Sequence, residues 1–94
     1  MFLFLLTYVK SISEVERLLP EHIRYLEKQY RAGRFLCSGR KVPRTGGVIL
    51  CHFPSREEAA EAMAEDPFFK EGIAQYELVE FVPSKASEGF QKLL

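Results

Sequence analysis

The sequence predicts a small α+β domain in the order β-α-β-β-α-β. Three observations carry this. Four apolar, strand-like runs occupy 2–9, 35–40, 47–53 and 73–82. Two stretches with helix-start chemistry lie between the first and second runs and between the third and fourth. Gly- and Pro-containing turns separate the elements, and no linker, repeat or low-complexity segment breaks them.

The first run, Phe2 to Val9, is apolar and rich in aromatics, which suits a buried strand. Ser13 with Glu16 three residues later reads as a capping box opening the first helix. That helix is expected to run to Ala32, with Gly33 as a left-handed stop. Pro20 interrupts it, either as a kink or as the first residue of a second helix after a short turn. Phe35–Arg40 and Gly47–Phe53 are the second and third strands, joined as a hairpin by the turn-rich Lys41-Val-Pro-Arg-Thr-Gly46. Ser55 and Glu58 form a second capping box, and residues 56–64 mix alanine with charge, as strong helix formers do. Asp66-Pro67 starts a short helical turn to about Gly72. Ile73 to Val82 is the last strand, stopped by Pro83.

Two βαβ crossovers in this order give a ferredoxin-like, four-stranded antiparallel sheet with both helices on one face. The expected domain is 1–94, with its core in 2–83 and a polar tail at 84–94. Phe2–Leu6 and Val48–Cys51 do not alternate apolar with polar, so both faces of those strands want burial. Helices cover only one. A second copy of the sheet is the simplest cover, and a homodimer or higher homo-oligomer is expected.

Composition excludes several classes. Apolar residues make up 47% of the 94 residues, ordinary for a globular chain. Thirteen basic residues balance thirteen acidic ones, so no chain-wide field draws in nucleic acid or an anionic membrane. The apolar N-terminal run has no positive segment before it and no small-residue cleavage site after it, and it is too short to span a bilayer. The expected compartment is the cytoplasm. Cys37 and Cys51 make neither a disulfide framework nor a zinc site, and are expected as reduced, small buried hydrophobes. Their symmetric placement about Arg44 makes a cross-strand bridge geometrically thinkable, but a reducing compartment argues against it.

Few residues carry chemistry. At about 100° per residue, His22 falls among Val15, Leu18, Leu19 and Leu26, opposite Arg17, Glu21, Arg24 and Lys28. It therefore points inward. It is either a core histidine bonded to a backbone carbonyl or a general acid-base. Asp66 before Pro67 is a helix cap, and a carboxylate can cap with one oxygen while orienting a histidine with the other. Arg40, Lys41 and Arg44 read as a solvated loop or as an anion-binding rim. Gly46-Gly47 looks like turn chemistry, since the lysine and following helix of a phosphate loop are missing. Cys51 and His52 are adjacent on a strand, face opposite ways and cannot chelate one metal.

These residues also form an ordered set. Helical Pro20-Glu-His22 precedes Tyr25-Leu26, Gly33-Arg-Phe-Leu and Ser38-Gly39; Pro43-Arg-Thr-Gly-Gly47, Asp66-Pro67-Phe68, Gly72, Tyr76-Glu and Glu80-Phe81 follow. In this the chain resembles the YciI-like (YCII-related) family over about Phe2 to Pro83. The resemblance implies a dimeric α/β barrel of ferredoxin-like subunits. It also implies a catalytic or binding dyad of His22 and Asp66. Ser38, Arg40 and Phe68 are the expected substrate contacts around that pair. One relative is a dehydrochlorinase acting on a chlorinated hydroxyquinol without metal or organic cofactor, so neither is expected here. The family usually has proline after Ser-Gly; Arg40 stands there instead and puts a positive charge near the expected pocket mouth.

Three functions follow. One is a cofactor-independent lyase (dehydrochlorinase-like), isomerase or hydrolase, transferring a proton on a small hydroxylated, aromatic-type substrate. The others are a non-catalytic small-molecule binding or sensing module, and a cofactor-free monooxygenase on the same barrel fold.

Overall fold

The computed structural model describes residues 1–94. In chain order the elements are β1 (Phe2–Tyr8), α1 (Ile12–Arg31), β2 (Phe35–Arg40), β3 (Gly46–Cys51), α2 (Arg56–Ala64), α3 (Pro67–Lys70), β4 (Ala74–Glu80) and α4 (Glu88–Gln91). The strands form one antiparallel sheet in the order β2-β3-β1-β4. This is the split arrangement expected of two interleaved βαβ units. No helix is long and apolar enough to cross a membrane.

Pairing register decides which residues share a face. Phe2, Phe4 and Leu6 of β1 stand opposite Cys51, Ile49 and Gly47 of β3. Tyr76 of β4 pairs with Leu6, and Leu78 with Phe4. That face packs on the helices, where Val15, Leu18 and Tyr25 of α1, Ala59 and Ala62 of α2, and Phe68 of α3 complete the core. Edge-to-face ring pairs knit it together, Phe4 on Phe35 at 5.9 Å and Tyr25 on Phe35 at 5.6 Å. The opposite face carries Leu3, Leu5, Val48, Leu50 and Val79, all half-buried and turned away from the helices.

Several boundaries differ from the sequence reading. The cap of α1 is Ser11, whose hydroxyl accepts from the Glu14 N–H at 3.4 Å, so the helix starts before the expected Ser13. Pro20 sits inside one continuous helix, on an exposed position. The missing N–H leaves the Glu16 carbonyl without its intrahelical partner, which solvent can replace there. Gly33 (φ +74°) ends α1 as expected, with Gly33 N–H on Tyr30 O and Arg34 N–H on Gln29 O. β3 ends at Cys51, although Phe53 beyond it remains buried, and the tail adds the short α4.

Gly46 is not turn chemistry. It lies in β3, and a Cβ there would come 1.8 Å from the Leu6 carbonyl oxygen. Only glycine permits that approach of the two backbones.

A bulge in β2 changes the faces of the hairpin. Phe35 pairs with Cys51, but Cys37 pairs with Leu50, so one extra residue is taken up between Phe35 and Cys37. Cys37 is thereby exposed on the sheet face away from the helices, while Cys51 is buried beneath them. The two thiols are not opposite each other, and Cys37 is not the buried hydrophobe expected.

Candidate functional site at the His22–Asp66 pair

His22 lies on the inward side of α1 in the same helical phase as Leu18 and Tyr25, and its side chain is only 12% exposed. The imidazole stacks on the Phe68 ring, with centroids 4.1 Å apart and planes 8° from parallel. Its Nδ1 is 2.8 Å from Asp66 Oδ1. His22 is therefore paired with a carboxylate and not with a backbone carbonyl.

Asp66 is the N-cap of α3, as its place before Pro67 requires, and its side chain is fully buried. Oδ1 accepts from the Phe68 N–H at 3.0 Å and also faces His22. Capping and histidine contact thus use the same oxygen. The other oxygen, Oδ2, accepts a short hydrogen bond from the Tyr76 hydroxyl. A carboxylate that already accepts from an amide and a phenol is set to accept from Nδ1–H as well. That fixes the imidazole proton on Nδ1 and leaves Nε2 as the free ring nitrogen.

Tyr76 had no role in the sequence reading. Its position in β4 opposite Leu6 turns it to the helix side, toward Asp66 ten residues earlier. Burial, then the nearby Asp66 charge, pushes its phenol well above the usual range, so it stays a donor. Tyr25 behaves similarly: its hydroxyl donates to the Ala62 carbonyl at 2.6 Å, tying α1 to α2, and burial followed by Asp66 raises it. No buried side-chain nitrogen or oxygen lacks a partner.

A cleft of about 340 Å³ opens beside His22, with Phe68 in its lining and apolar walls that include Leu6, Leu26 and Ile49. Ser38 and Arg40 also line it. The β2 bulge puts them there: after it, Ser38 pairs with Ile49 and Arg40 with Gly47, both on the helix side of the sheet. The Ser38 hydroxyl is 2.6 Å from that of Tyr30. The basic trio is split by its partners. Lys41 donates to Thr7 Oγ1 at 3.1 Å, and Arg44 pairs with Glu16 at 3.4 Å. Arg40 has no ion-pair partner.

His52 is exposed just beyond β3. No three His, Cys, Asp or Glu side chains gather in a group able to hold a metal ion.

Among solved structures, the fold is similar to 5-chloro-2-hydroxyhydroquinone dehydrochlorinase of Burkholderia phenoliruptrix, in complex with 2,5-dihydroxybenzoquinone. The TM-score is 0.72 and the identity 17%, with 87% of this chain and 94% of that one covered. A search of curated proteins gives no match. The model of the YCII-related domain matches residues 1–82, and the chain belongs to that family.

Proposed function

We propose that the protein is a cofactor-independent enzyme that moves a proton on a small hydroxylated ring substrate, in a lyase-, isomerase- or hydrolase-like reaction. The observation that carries this reading is His22, held at Nδ1 by a buried, triply hydrogen-bonded Asp66 and bordering the cleft. A histidine kept in one tautomer at a cleft wall is the arrangement general-base catalysis uses.

His22 Nε2 takes a proton from an acidic O–H or C–H of the bound molecule. The imidazolium that forms is stabilised by Asp66 through Nδ1–H, and Tyr76 and the Phe68 amide keep the carboxylate in line. Arg40 offsets negative charge on the bound molecule, Ser38 contacts the ligand's polar edge, and Phe68 supports the flat imidazole. The ring-shaped ligand of the dehydrochlorinase with this fold supports a substrate of similar size. The working form is a homodimer, two subunits packed through the apolar sheet faces into a dimeric α/β barrel.

The test is a panel of hydroxylated and chlorinated aromatics, assayed for turnover and oxygen uptake in wild type and His22→Gln. Turnover without oxygen that is lost in His22→Gln is the expected result. Binding without turnover would make the protein a sensing or carrier module, and oxygen consumption would make it a monooxygenase.

A further inference from the structure

We infer that the cleft is built for a monoanionic ligand, a ring carboxylate whose charged group is held by Arg40. This rests on the reading of His22 as the reacting group and names the substrate class for that same cleft.

The cleft contains two arginines and a histidine, and no aspartate or glutamate is in its lining. One positive charge is already answered, because Arg44 pairs with Glu16. Arg40 is left as the cation without a counter-ion, and a guanidinium stays charged at any working pH. Its position does not follow from simple strand alternation. Without the bulge between Phe35 and Cys37, residue 40 would face the other side of the sheet. The backbone irregularity therefore turns an unpaired guanidinium toward the same cleft as the imidazole.

The geometry of the charge selects its partner. A guanidinium offers parallel N–H donors that match the two oxygens of a carboxylate. One uncompensated positive charge suits a monoanion; a phosphate dianion would call for the second arginine that Glu16 occupies. Size and polarity limit the rest of the ligand. About 340 Å³ is at the small end for ligand pockets, and Leu6, Leu26 and Ile49 add apolar surface to the lining that Arg40 and His22 share. A single flat ring fits, with a carboxylate toward Arg40 and an acidic hydroxyl or carbon toward His22.

The experiment compares 2,5-dihydroxybenzoate with 2,5-dihydroxybenzamide, which differ in charge and little else. Binding is followed by NMR through the His22 ring and the Arg40 Nε–H signals, in wild type, Arg40→Gln, Arg40→Lys and Glu16→Gln. The acid should bind about tenfold more tightly than the amide. Arg40→Gln should remove that preference, and Arg40→Lys should keep part of it. Glu16→Gln frees Arg44 and should tighten the acid alone, a gain that a damaged fold cannot mimic. Equal binding of acid and amide in wild type, or equal weakening of both in Arg40→Gln, would overturn the inference. The His22 signals report separately on the proposed chemistry. If the acid binds through Arg40 but leaves His22 unmoved, the proton-transfer reading fails while the anion site stands.

Discussion

Asp66 Oδ1 is 2.8 Å from His22 Nδ1 and 3.0 Å from the Phe68 amide nitrogen, so one atom both caps a helix and orients a histidine. Asp66→Asn separates these roles, because asparagine also caps helices but brings no negative charge. The fold should survive by circular dichroism. In long-range nitrogen–proton spectra, the wild-type His22 ring should show a protonated Nδ1 and a bare Nε2, and the variant a mixture of tautomers. Any turnover should fall by about 10²–10⁴-fold. An identical ring-nitrogen pattern in both proteins would mean that Asp66 is only a cap.

Tyr76→Phe tests the third hydrogen bond. It leaves Oδ2 of a fully buried carboxylate without its donor. Unfolding in urea should show a loss of about 1–3 kcal/mol, the cost of an unsatisfied buried acceptor. In the Asp66→Asn background the same change should cost less, since the two residues act through one contact. Equal costs in the two backgrounds would show that the phenol does not work through Asp66.

The apolar sheet face predicts the assembly. Light scattering after size-exclusion chromatography should give about twice the 10.8 kDa chain mass at micromolar concentration. Leu5→Lys puts a charge on that face next to its register partner Glu77, which the single subunit tolerates and a sheet-to-sheet contact does not. The variant should run as a folded monomer. A monomeric wild type would rule the interface out.

Burial pushes the Cys51 thiol from an ordinary 9.0 up to about 12. The folded state then holds this proton more tightly than the unfolded state does. Its contribution to stability is complete below pH 9 and is lost as pH rises toward 12. Tyr25 and Tyr76, raised chiefly by burial and then by Asp66, act with the same sign from pH 10 upward. The urea midpoint should stay flat to pH 9 and then fall. In Cys51→Ala the decline should begin about one pH unit later, and the same onset in both proteins would remove Cys51 from this account.

The strand order was readable because each crossover carries its own local signals: the Ser55–Glu58 cap, the Gly33 stop and the unbroken apolar runs. Helical phase showed that His22 points inward and Pro67 showed that Asp66 caps a helix, but their pairing as a site came from the family resemblance. Tyr76 was given no role, because a tyrosine in an alternating strand looks like any core aromatic until the turn after α3 brings it against a carboxylate. Cys37 was misread for a different reason. A free cysteine is by default a small buried hydrophobe, and the bulge that turns this one outward leaves no mark in composition. The same uncounted residue is what sends Ser38 and Arg40 to the cleft.

The three groups of the site come from α1, the start of α3 and β4, with His22 and Asp66 separated by 44 residues and Asp66 and Tyr76 by ten. β4 leaves the ribosome after the other three strands, and it takes its place by pairing along β1, far earlier in the sequence. Contacts between segments far apart in sequence form late, after the entropy of a long loop has been overcome. A nascent or half-folded chain therefore lacks the Tyr76 arm of the network that holds the His22 proton in place. Recovery of the His22 ring signals during refolding should trail helix formation and coincide with β1–β4 pairing, so that the base is armed only once the chain has closed on itself.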